Sequence, residues 1–90
     1  MSTIRIPPTL RAQTSGAKLI EVDGATVRDV VDGLVSRYPT LSQQVLDADG
    51  GLNRFVNVFL NDTDVRHLAG LETPVRAEDS IVLLPAMAGG

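Results

Sequence analysis

Thr26 to Tyr38 is the one long stretch whose apolar residues recur at helical spacing. Val27, Val30, Val31, Leu34 and Tyr38 form a single stripe, the pattern of a helix that buries one face. Thr26 followed three residues later by Asp29 approximates a capping box, with Asp in place of the usual Glu or Gln. Pro39 ends the helix, because the residue before a proline is pushed out of the α region. Leu41 to Leu46 has room for one or two further helical turns, and Asp47 to Gly51 reads as a loop.

The rest of the chain reads as short strands and turns. Thr3 to Pro8 alternates Ile4 and Ile6 against polar neighbours, and Pro7-Pro8 closes it. A loop through Thr14-Ser15-Gly16 leads to a second strand, Ala17 to Val22, so the two form a hairpin. Phe55 to Leu60 is a strand with two unlike faces, an aliphatic row of Val56, Val58 and Leu60 and a mixed row of Phe55, Asn57 and Phe59. Asn61-Asp62 is a turn signal, and Val65, Leu68 and Leu71 lie in an irregular stretch. The last strand, Ser80 to Pro85, contains the unbroken run Ile81-Val82-Leu83-Leu84, which suits a strand covered on both faces. One helix can cover one face of a four- to five-stranded sheet, so the expectation is an α+β roll. Ninety residues hold one small domain, here residues 1–85 followed by a flexible tail, 86–90.

The residue inventory excludes most chemistry. No cysteine is present, so there is no disulfide, thiolate metal site or cysteine nucleophile. His67 is the only histidine, too few for a histidine metal cluster, and it reads as a surface residue. No Gly-rich loop follows a strand and opens a helix; Gly50-Gly51 comes in the wrong order for phosphate capture. Asp62, Asp64, Glu78 and Asp79 read as solvated turn residues. A formal charge of −3 disfavours nucleic acid or an anionic membrane as partner. No apolar run reaches membrane-spanning length and the N-terminus lacks a signal-peptide core, so a cytoplasmic setting is expected.

The C-terminus stands apart. With glycine at ~7% of residues, roughly one chain in two hundred ends in Gly-Gly by chance. The five residues after Pro85 reach at most roughly 17 Å, enough to carry a carboxylate from the body into another protein's cleft. Gly89 and Gly90 lack a Cβ and make the narrowest possible thread. The Gly90 carboxylate is then the candidate reactive group.

Three stretches now carry a resemblance: Arg54-Phe55-Val56-Asn57-Val58-Phe59-Leu60-Asn61-Asp62, then Asp64-Val65-Arg66, then Glu78-Asp79-Ser80-Ile81-Val82-Leu83-Leu84-Pro85-Ala86-Met87-Ala88-Gly89-Gly90. They resemble the ubiquitin-like sulfur carrier family, which includes the small subunit of molybdopterin synthase and the thiamine-pathway carrier, and they look closest to its cysteine-biosynthesis branch. Met87 stands where that family more often has valine. The resemblance implies a β-grasp fold and a carrier, not an enzyme. In the implied cycle an E1-like adenylyltransferase activates the Gly90 carboxylate with ATP and Mg²⁺, and a sulfur donor displaces AMP to leave a thiocarboxylate. A PLP-dependent cysteine synthase (a sulfhydrylase) then supplies an acceptor made from phosphoserine, and a zinc metallopeptidase releases cysteine. ATP, PLP and zinc would belong to those partners, with no cofactor bound by this chain itself. Molybdopterin synthesis, another thio-metabolite, or attachment to target proteins as a ubiquitin-like modifier are the alternatives.

By the same resemblance Ile81 and Leu83 face the helix, and Val82 and Leu84 face outward. Phe55 or Phe59 is expected to join Val82 and Leu84 in a partner-binding patch. The competing expectation makes both phenylalanines ordinary core. Met87, Ala88 and Gly89 complete the expected contact segment.

Overall fold

The apolar stripe forms a helix, α1 (Val27–Arg37), in a computed structural model that describes residues 2–85. Thr26 caps it: its side-chain oxygen accepts from the Asp29 amide, and Asp29 Oδ2 in turn accepts from the Ala25 amide at 3.1 Å. Val27, Val30, Val31 and Leu34 are buried in one cluster with Ile4, Ile20, Val58, Ile81 and Leu83. Burying each such side chain stabilises the fold by about 1.5–3 kcal/mol before entropy is counted. Gly33 lets the helix lie directly on the sheet, since a Cβ there would stand 2.5 Å from Val22 Cγ1.

Five strands make one sheet: β1 (Ser2–Arg5), β2 (Leu19–Val22), β3 (Val56–Leu60), β4 (Thr63–Asp64) and β5 (Ser80–Pro85). Their order is β2-β1-β5-β3-β4. β5 is central, parallel to β1 and antiparallel to β3, with Ile4 opposite Ile81 and Val58 opposite Leu83. The sheet is mixed and closes over α1 as the expected α+β roll, with a short second helix, α2 (Ser42–Val45), in the Leu41–Leu46 segment.

Three expectations change. The first strand stops at Arg5, and Pro8–Thr14 winds into 3-10 turns where a loop was expected. Proline's fixed φ starts such a turn as readily as it ends a strand, and burial of Leu10 and Thr14 holds the turns in place. The fifth strand is β4, only two residues long, which Asn61-Asp62 folds back onto β3. Both turn residues have positive φ, 49° and 77°, the requirement of a type I′ hairpin and one that Asn and Asp tolerate. Lastly, β5 is covered on one face only: Ile81 and Leu83 are buried, whereas Leu84 is 44% exposed. An apolar run alone does not distinguish double burial from a face kept for a partner.

Asn61 also ties that hairpin to the start of β5. Its side chain accepts from the Ser80 amide at 2.9 Å and donates to Asp79 Oδ1 at 2.8 Å, while the Arg76 amide donates to Asp79 Oδ2. The Arg76 amide first, and the Asn61 side chain second, hold the Asp79 carboxyl below its ordinary pKa. A lowered acid pKa gives stability that is present above the unfolded-state value and is lost as pH falls through the folded one. The melting-temperature gap between wild type and Asp79→Ala should therefore be constant above about pH 5 and shrink below about pH 4, near the ordinary Asp value. A gap unchanged into acid would contradict this.

Candidate functional site

Alternation along each strand puts one side chain in the core and the next on the outer face. The register then aligns a row across the whole outer face. Arg5 lies opposite Leu19 on β2 and Val82 on β5, and Phe59 lies opposite Val82 and opposite Asp64 on β4. In the next row, toward the end of β5, Leu84 lies opposite Asn57. Phe59 is thus a direct neighbour of Val82 and a diagonal neighbour of Leu84.

Phe55 stands just before β3, where Pro85, the last residue of β5, pairs with Val56. It is 52% exposed. A turn built by Asn53 holds it there: Asn53 Oδ1 accepts from the Phe55 amide at 2.8 Å, and Asn53 Nδ2 donates to the Gln43 carbonyl. The Arg54 guanidinium lies 5.3 Å from the Phe55 ring centroid. Arg66 reaches across from beyond β4, donating to Asn57 Oδ1 at 3.1 Å and to the Asn53 carbonyl at 2.8 Å.

The strand register brings together Val82, Leu84 and Phe59 on one face, while Phe55, just before β3, lines a surface recess with Asp47, Asp49, Asn53 and Arg54. Val82 and Phe59 are half-buried and Leu84 and Phe55 exposed, so the expectation of two core phenylalanines is not met. Met87, Ala88, Gly89 and Gly90 lie outside the described residues. Leu19, 57% exposed, Arg5 and Arg66 extend the face and were not among the residues expected there. Leu19 and Arg5 do alternate with buried Ile20 and Ile4, but only the strand order shows that Arg5 borders β5 and that Leu19 lies one strand further out.

Other candidates stay as turn chemistry. His67 is exposed, Asp64 Oδ1 accepts from the Arg66 amide, and Asp79 is taken up by Asn61 and Arg76. Among the described residues, no three His, Cys, Asp or Glu side chains are grouped to hold a metal ion. None of the described helices is long and apolar enough to cross a membrane.

A five-stranded mixed sheet closed over one main helix, with its central strand leading to the C-terminal segment, defines a ubiquitin-like β-grasp protein. The solved structure of an Amycolatopsis orientalis BexX/CysO complex contains a chain that superposes with a TM-score of 0.91 at 41% identity, each chain covered in full. The small archaeal modifier protein 1 of Methanosarcina acetivorans superposes at 0.85 with 29% identity, covering 99% of this chain and 95% of that one. In sequence, the chain is 41% identical over 90 residues to the sulfur carrier protein CysO of Mycobacterium tuberculosis, covering 98% of this chain and 97% of the relative. Residues 4–90 match the ThiS family, and the chain belongs to it.

Proposed function

We propose that this chain is a sulfur carrier that delivers sulfide from a Gly90 thiocarboxylate, in cysteine biosynthesis. The observation that carries the reading is the family match, which runs through the Gly89-Gly90 end to residue 90. A carboxylate resists attack because oxide is a poor leaving group. An E1-like enzyme removes that obstacle: a Gly90 oxygen attacks the α-phosphorus of ATP, and pyrophosphate leaves. Sulfide sulfur then attacks the acyl carbon and AMP departs, leaving the thiocarboxylate.

The ionised sulfur next attacks an acceptor made from phosphoserine on the PLP-dependent sulfhydrylase. A zinc metallopeptidase hydrolyses the resulting acyl link, freeing cysteine and restoring Gly90. ATP, PLP and zinc act on the partner enzymes. This chain is their co-substrate in the cytoplasm, and the face formed by Phe55, Phe59, Val82 and Leu84 is where they dock, with Met87, Ala88 and Gly89 entering their clefts.

The similarity to a protein named as a modifier favours a second reading, attachment of Gly90 to target-protein lysines. Intact-mass spectrometry of the chain purified beside its activating enzyme decides between the two. The carrier reading expects a gain equal to sulfur replacing oxygen. A ladder of heavier conjugates that vanishes with Gly89-Gly90 would support the modifier. Cysteine formed from the charged chain, phosphoserine and the sulfhydrylase identifies the pathway. A charged chain inert in that mixture but active with a molybdopterin precursor would reassign it.

A further inference from the structure

The loop between α2 and β3 contains chemistry that sulfur carriage does not use. Three aspartates in the chain precede a glycine: Asp23-Gly24, Asp32-Gly33 and Asp49-Gly50. Such a step can rearrange spontaneously, because glycine has no side chain to hinder its own amide nitrogen from closing on the aspartate carboxyl. Ring closure needs rotation of the aspartate backbone and a freed glycine amide. The fold meets those two conditions unequally.

Gly33 lies within α1, where its amide is committed to the Asp29 carbonyl one turn back. It also sits against β2, since a Cβ there would stand 2.5 Å from Val22 Cγ1. Gly24 is pressed on the start of the same helix, where a Cβ would meet Asp29 Cβ at 2.8 Å and the Val30 nitrogen at 2.9 Å. Rotation at either step disturbs the packing of α1.

Asp49 and Gly50 are both exposed, and a Cβ on Gly50 would meet nothing within 4 Å. Among the described residues, no hydrogen bond holds the Asp49 carboxylate. Asp47 Oδ1 instead accepts from the Asp49 and Gly51 amides, at 2.9 and 3.0 Å. The Gly50 amide is tied by one turn bond to the Asp47 carbonyl, at 3.1 Å. Exposed turn bonds of this kind open at far lower free energy than a packed helix.

We propose that Asp49 is a site of spontaneous isoaspartate formation in the folded chain, and that Asp23 and Asp32 are protected. In the first step the Gly50 nitrogen attacks Asp49 Cγ. A new N–C bond forms, and the carboxyl hydroxyl leaves as water with the amide proton. Water then adds to either carbonyl of the five-membered ring and opens it. Opening at the Asp49 backbone carbonyl breaks its bond to the Gly50 nitrogen and routes the chain through Cβ and Cγ, one backbone atom longer. Opening at the other carbonyl restores aspartate. The lengthened segment no longer fits the bond from the Asp47 amide to the Gly51 carbonyl, now 2.8 Å. Isomerisation therefore loosens the loop that walls the recess lined by Asn53, Arg54 and Phe55.

In the test, the full-length chain is held at physiological temperature and neutral pH for weeks, beside a sample kept unfolded in urea. Digests are separated, and isoaspartyl peptides are located with a protein isoaspartate methyltransferase. In the folded chain Asp49 should convert about fivefold or more faster than Asp23 or Asp32. In urea the three should convert at similar rates, since glycine follows each. Asp49→Glu, which would need a six-membered ring, should remove most of the folded-state signal. Hydrogen exchange of the 47–53 amides should be faster in the isomerised fraction than in the fresh chain.

Equal rates at the three steps in the folded chain, no conversion at Asp49 while the urea sample converts, or a signal that survives Asp49→Glu would overturn the proposal. Unchanged exchange across 47–53 would overturn the loosening of the loop. None of these outcomes depends on sulfur at Gly90, so the carrier reading stands or falls separately.

Discussion

Leu83→Ala is expected to cost about 2–5 kcal/mol of folding stability, the usual range for emptying a buried leucine site. Leu84→Ala, one residue further on, is expected to cost about 0.5 kcal/mol or less, as for an ordinary surface change. The two side chains are identical, and only the face differs. Leu83 is 1% exposed, opposite Val58 and within the cluster that includes Leu34, whereas Leu84 is 44% exposed opposite Asn57. A small domain has about 5–15 kcal/mol in total, so the first variant should melt far below wild type. The second should melt near it and lose affinity for the activating enzyme instead. Denaturant titration of both variants checks this, and equal losses would mean that the two faces of β5 have been misassigned.

That pair of neighbours also marks how far the sequence could be read. α1 was legible because its apolar spacing, its Thr26 cap and Pro39 all act locally and agree. Asn61-Asp62 was legible for the same reason: left-handed backbone at two consecutive positions leaves few residue choices. Pro8–Thr14 was not, since proline permits both a strand end and a helical start, and burial of Leu10 and Thr14 decided.

The face itself was half legible. Val82, Leu84, Phe55 and Phe59 follow from strand alternation together with the family resemblance. Arg5 and Leu19 join them only because β1 pairs in parallel with a strand some 75 residues later. Arg66 joins through acceptors on Asn57 and Asn53, contacts that no spacing rule contains. Such long-range pairings are set by the closing of the sheet over α1.

Removing Gly89-Gly90 is expected to abolish sulfur loading altogether while leaving melting unchanged, because among the described residues the core cluster runs from Ile4 to Leu83. The size of the effect follows from chemistry: the thread that reaches the activating site and the carboxylate placed there are lost together. The chain contains no cysteine, so a thiol-directed alkylating reagent has no other sulfur nucleophile of that kind to modify. A thiolate or thiocarboxylate is the species that reacts with it.

The most direct measurement follows. The chain is incubated with its activating enzyme, ATP and sulfide, then alkylated with iodoacetamide, and the adduct is located by mass spectrometry. A single adduct on Gly90, dependent on ATP and absent from the Gly89-Gly90 deletion, is the result expected. No adduct under any of these conditions, or one that persists in the deletion, would contradict the account of Gly90 as the sulfur-bearing group.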